Sequence, residues 1–244
     1  MAYALEGEFR SSSRKSRKTE KEAQTLHQRD QLLPFKLRTP YEIKYWDTFA
    51  NSNTFQQSTS WTSCAEPPAV SANPDGIATP ANLCSPVQGA QWYQRVGRKI
   101  KVHRISINCS VFRAVADTAI VRYRALLVQD KLTNGVTINT NQVMNNLGGT
   151  IAPAILAPQN AEFIGRYNIL ADRLGYATGT VANEYSAQTW RWDVKFKKPV
   201  VVNFNNATGG QVNSIINNSF HVIGNCEGPN VFLVYFSRVE YTDD

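Results

Sequence analysis

Residues 188–198 read QTWRWDVKFKK, and their alternation decides the class of fold. Trp190, Trp192, Val194 and Phe196 are interleaved with Arg191, Asp193, Lys195 and Lys197, a period of two that gives an extended strand one apolar face and one charged face. The stretch AIVRYRALLV (119–128) follows the same rule, with Val121, Tyr123, Ala125 and Leu127 on one side and Arg122 and Arg124 on the other. In RVGRKIKVHRISINC (95–109) the rule breaks once. Ile100 and Val102 have even parity, whereas Ile105, Ile107 and Cys109 have odd parity, so the apolar face changes sides near His103 and Arg104, as a β-bulge or a strand break would make it. This stretch also holds Arg95, Arg98, Lys99, Lys101 and Arg104 with no acid nearer in sequence than Asp75 and Asp117.

Working outward, strands are expected at 43–50, 98–112, 119–129, 163–171, 188–198, 216–224 and 230–241, with a weaker one within 136–144. Between the first two lies CAEPPAVSANPDGIATPANLCSPVQGAQ (64–91), where five prolines predict a long irregular excursion. Asn134-Gly135 predicts a tight reversal with positive φ. Such strands, with no helix-period segments between them, predict an all-β fold, an antiparallel sandwich or barrel. A chain of 244 residues with 42% hydrophobic content is long enough to bury its core.

The expected domain spans 41–244, preceded by an arm at 1–40. The arm carries nine Lys or Arg against five acids, and its cations concentrate in RSSSRKSRKTEK (10–21). Serine and charge leave nothing to bury there, so the segment is expected to lack stable structure of its own and to tether nucleic acid through Arg10, Arg14, Lys15, Arg17, Lys18 and Lys21. The cluster also suits a nuclear localisation signal. A capping box at Thr19–Glu22 and a thin apolar stripe predict a short helix over 20–33. No apolar run resembles a signal peptide or a membrane span, which leads to an expectation of residence in the cytosol or nucleus without a membrane partner.

The net charge of +7 points toward a polyanionic partner. Catalysis finds no support. His27, His103 and His221 stand apart, no nucleophile elbow, P-loop or dinucleotide fingerprint occurs, and Cys64, Cys84, Cys109 and Cys226 lack metal-ligand spacing. No catalytic residue, metal or cofactor is therefore expected, and the thiols are read as free and buried.

Five stretches together resemble the capsid proteins of circular single-stranded DNA viruses, the circovirus-like group, whose shells are also similar to that of satellite tobacco necrosis virus. They are VQGAQWYQRVGRKIKVHRISINC (87–109), YRALLVQDKLTNG (123–135), RYNILADRLG (166–175), RWDVKFKKPVVVNF (191–204) and VFLVYFSRVEYTDD (231–244). The resemblance implies a single viral jelly roll of eight strands, B to I, in sheets BIDG and CHEF. It implies a T=1-like icosahedral shell of about sixty copies that encloses a single-stranded DNA genome, or RNA in recombinant particles. The protein would then reside in the virion and, during assembly, in the host nucleus.

On that lettering 98–112 becomes C, while 119–129 and 188–198 become D and G of the sheet that faces the shell interior. Arg122, Arg124, Arg191, Lys195 and Lys197 are then expected to bind the genome, and Arg95 and Arg98 to make subunit contacts. The arm departs from the family, whose tails are often far richer in arginine. Two other classes remain open on the residues alone: a nonstructural single-stranded nucleic-acid-binding protein that forms no shell, and a carbohydrate-binding or hydrolytic jelly roll with paired carboxylates.

Overall fold

The computed structural model describes residues 42–55, 62–63, 69–70, 78–79, 82–113, 120–145, 155–179, 187–228 and 230–244, side chains being described from 42–49 and from 82 onward. Contacts divide the chain into Met1–Tyr41 and Glu42–Asp244. All described residues belong to the second unit, so the expected arm, its cations Arg10 to Lys21 and the helix over 20–33 lie outside them.

The fold is all-β, built on two antiparallel sheets. The strands are β1 (Lys44–Phe55), β2 (Thr62–Ser63), β3 (Ala69–Val70), β4 (Ala78–Thr79), β5 (Lys99–Arg113), β6 (Ile120–Asp130), β7 (Tyr167–Thr178), β8 (Gln188–Phe204), β9 (Ile215–Asn217), β10 (Ser219–Cys226) and β11 (Val231–Asp243). One sheet has the order β1-β11-β5-β8-β9 and the other β2-β10-β6-β7. Ile105, Ile107 and Trp192 from the first meet Tyr123, Leu127 and Val222 from the second in one buried cluster. The parity of 188–198 is realised: Trp190, Val194 and Phe196 pack on that cluster while Arg191, Lys195 and Lys197 are exposed.

The change of face in β5 is a bulge at His103. Against β11, Glu240 faces Arg104 and Tyr241 faces Val102, which leaves His103 as the extra residue. Against β8 the gap is wider, with Val102 opposite Val200 and Arg104 opposite Lys195, so Phe196 to Pro199 are out of register. Proline has no N–H to give to a ladder, which suits Pro199 to this break. Asn134 and Gly135 take φ of 48° and 72°, as their turn requires. Asn218, at φ 61°, lets the chain leave β9 in one sheet and enter β10 in the other.

Several expectations are corrected. Strands 119–129 and 188–198 do not share a sheet: β6 pairs with β10 and β7, whereas β8 pairs with β5. The reason lies in burial. From Ala125 onward β6 is buried on both faces, because Leu126 and Val128 enter a second cluster with Ile138, Val143, Met144 and Tyr167. Only the inner sides of the long strands β5 and β8 need cover, and their odd-parity and even-parity apolar runs face each other as Ile105–Val194 and Ile107–Trp192.

No strand forms within 136–144. Asn139 caps a single helical turn, α1 (Thr140–Val143), by accepting from the Asn141 N–H, and Val143 turns inward. The strand expected at 163–171 starts later, after a 3-10 turn at Ala161–Phe163, and runs on to Thr178. Inside the proline-rich excursion β3 and β4 pair over two residues each. Cys84, Cys109 and Cys226 are buried thiols that form no disulfide among the described residues; Cys64 is outside them. Burial pushes the Cys109 and Cys226 thiols up to about 12 and Cys84 higher still.

Candidate nucleic-acid interface

The outer face of the five-stranded sheet is organised in rows set by strand register. One row crosses it as Phe49, Phe236, Asn108 and Arg191; beside it lie Asp47, Arg238, Ser106 and Asp193, and then Tyr45, Glu240, Arg104 and Lys195. Acids from neighbouring strands neutralise part of the charge. Arg104 Nε and Nη2 donate to the two Asp193 carboxylate oxygens at 2.6 and 2.9 Å, and its Nη1 donates to Glu240 at 3.0 Å. Arg238 makes the same kind of fork with Asp47, at 2.8 and 2.6 Å. The hydrogen bonds from Arg104 hold the Asp193 carboxyl below the usual carboxylate range.

The acids missing near 95–104 in sequence thus arrive from the other end of the chain. Lys101 pairs with Asp244, the Val96 N–H donates to Asp243 at 3.1 Å, and Lys44 pairs with Asp243 at 2.7 Å. Hydrogen bonding from Lys101 likewise lowers the Asp244 carboxyl. His103 at the bulge lies 3.0 Å from the Thr242 hydroxyl, a structural contact.

The cations in no ion pair among the described residues are concentrated on β8, where Asp193 lies close enough to feel the charges of Arg191 and Lys195. Arg191, Lys195, Lys197 and Lys198 are exposed and make no ion pair among the described residues, and Arg98 and Lys99 are exposed nearby in sequence to Lys101. β8 pairs with β9 only at Asn203 and Phe204, so among the described residues the rest of this cationic strand forms the edge of its sheet. Alternate residues on a strand stand about 6.8 Å apart, a spacing close to that of successive phosphates in an extended single strand. Edge lysines also keep a strand from pairing with other chains.

Arg122 and Arg124 do not join this row, because they stand on the other sheet. Each is already spent: Arg122 Nε donates to Glu227 at 2.6 Å, and Arg124 forks onto Asp172 at 3.0 and 2.6 Å while its Nη1 donates to the Ile155 and Ala157 carbonyls. The hydrogen bond to Glu227 raises the Arg122 pKa further.

Arg95 is corrected as well. It is 0% exposed and donates to the carbonyls of Pro86 (3.1 Å), Gly97 (2.6 Å) and Ala207 (2.6 Å), with its guanidinium 4.3 Å over the Phe204 ring. Such a group clamps its own loop to the one carrying Ala207. Arg98, by contrast, is exposed.

Sequence reasoning passed over one feature, the aromatic half of this same face. Phe112 and Phe232 stack with centroids 5.5 Å apart, and the Phe49–Phe236 pair lines the same depression as Arg191, with Asn108 between them. The run VFLVYF at 231–236 carried the signal, since a strand apolar on both faces needs something to cover its second face. Among the described residues no group of three His, Cys, Asp or Glu is placed to hold a metal ion, and no helix is long and apolar enough to cross a membrane. Neither the known protein-family models nor the curated protein sequences contain a match to this chain.

Proposed function

We propose that the chain is a viral capsid protein: a single jelly roll that self-assembles into a small T=1-like shell and encloses single-stranded DNA, or RNA in recombinant particles, through its basic arm and the β8 face. The orders β1-β11-β5-β8 and β2-β10-β6-β7 support this reading, because they fit the BIDG and CHEF sheets of such a roll. In that lettering β5 takes the place of D rather than C, β6 that of E rather than D, and the two-residue β2 that of C. By the family resemblance the sheet carrying β8 faces the interior. The protein acts as a structural component rather than an enzyme, in the virion and, during assembly, the host nucleus.

The observation that carries the nucleic-acid part is the row Arg191, Lys195 and Lys197, exposed and in no ion pair among the described residues, on a strand that forms the edge of its sheet among those residues. Phosphate is the ligand such a row selects, and each contact releases counterions. Arg122 and Arg124, paired with acids on the other sheet, are not part of this row. The test is the triple variant Arg191→Ala, Lys195→Ala, Lys197→Ala. The slope of log affinity for single-stranded DNA against log salt should become shallower by up to about three units, with the fold and assembly retained. An unchanged slope removes β8 from the interface. A wild-type chain that binds DNA with the expected slope yet never forms particles is the nonstructural nucleic-acid-binding protein of the second reading.

A further inference from the structure

The row Phe49, Phe236, Asn108 and Arg191 borders an open depression of about 570 Å³ on the outer face of the five-stranded sheet, with Ser110 and Thr189 at its far side. We propose that this depression receives one unpaired nucleobase, stacked on the Phe236–Phe49 surface, while Arg191 holds the adjoining phosphate. The inference rests on the reading of β8 as a nucleic-acid strand and adds base contact to phosphate contact.

Three features select a nucleotide over another occupant. The floor is aromatic, and Phe236 is 38% exposed; every base has a π-face that gains from such a surface regardless of sequence. Asn108 is exposed, and its amide has no hydrogen-bond partner among the described residues, so it can both donate to and accept from a base edge. The border on the β8 side is cationic, with Arg191 and Lys195 on the same face and no ion pair made by either among the described residues. An apolar face of a second copy of this chain would leave both the Asn108 amide and the Arg191 charge without partners, a costly arrangement at a buried contact. The sheet thus presents stacking surface at its middle and charge along its edge, the division of labour found in single-strand binders.

The experiment compares two probes on the full chain at nanomolar concentration: an oligothymidylate, and an abasic oligonucleotide of equal length and phosphate count. Wild type should bind the oligothymidylate more tightly. Phe236→Ala should weaken oligothymidylate binding by roughly 5-fold to 100-fold, the range of one lost base stack, and leave the abasic probe and the salt slope unchanged. Phe236→Leu, which keeps an apolar side chain on the sheet, should show the same selective loss and guards against a folding defect. Equal loss on both probes, or loss on neither, overturns the base site while the phosphate row stands. Loss of assembly with both affinities intact makes the patch a contact between copies and also overturns it. A wild-type chain that binds neither probe overturns this inference together with the reading beneath it.

Discussion

Replacing Arg95 by alanine separates a folding role from an assembly role. The guanidinium is fully buried, gives three hydrogen bonds to carbonyls at 2.6, 2.6 and 3.1 Å, and covers Phe204. Hydrogen bonds from a charged donor contribute about 1.5 kcal/mol each at the lower end, and a cation–π contact of this kind about 1 kcal/mol. Truncation also strands the Pro86, Gly97 and Ala207 carbonyls, although water admitted to the space returns part of the loss. A net cost of about 3–5 kcal/mol follows. In a domain of this size each kcal/mol lowers Tm by about 2–4 °C, so Arg95→Ala should melt roughly 10 °C below wild type at matched protein concentration. Circular dichroism provides the assay. Arg95→Lys should rescue little, because one ammonium cannot span three carbonyls. The exposed Arg98 is the control: Arg98→Ala should stay within about 0.5 kcal/mol of wild type and, as a proposed subunit contact, lower the yield of particles. An Arg95→Ala chain that melts with wild type yet fails to assemble would refute the clamp and restore the sequence-based assignment of Arg95 to an interface.

Deleting residues 1–21 should lower the ratio of absorbance at 260 nm to that at 280 nm in purified particles and leave the β circular dichroism intact; an unchanged ratio shifts the tether to β8. Gly175→Ala should destabilise by about 1–3 kcal/mol, because a Cβ there would stand 2.5 Å from the ring of Tyr123, which is fully buried and stacked on Trp190; chemical denaturation checks it. Asp193 has its folded pKa depressed by Arg104, so its contribution is present above the unfolded value of about 3.9 and fades as pH falls through the lower folded value. Asp193→Asn should flatten that acid limb of the stability profile, and only slightly, since the pair is solvent-exposed.

Alternation made the strands legible. Trp190 to Lys197 could form only a half-buried strand, and the parity break near His103 and Arg104 marked the irregularity that the structure resolves as a bulge at His103. The sheet partners were not legible, because a strand of two residues such as β2 leaves no period to read, and its omission shifts β5 and β6 by one place while β8 keeps its own. The neutralisation of the cationic stretch was hidden for a related reason. Asp193, Glu240, Asp243 and Asp244 lie far away in sequence and meet Arg104, Lys101 and Lys44 only through strand pairing. Residues 136–144 look weakly alternating, yet Asn139 offers its side chain to a local N–H, and that contact starts a helical turn instead. The depression depends on Phe49 and Phe236, which register alone brings together.

We propose that this chain builds a closed shell around single-stranded nucleic acid. Size-exclusion chromatography with negative-stain microscopy of the expressed full chain, at moderate salt and high protein concentration, tests it most directly. Uniform spherical particles of about sixty copies that carry nucleic acid are expected. A monodisperse monomer under those conditions would contradict it.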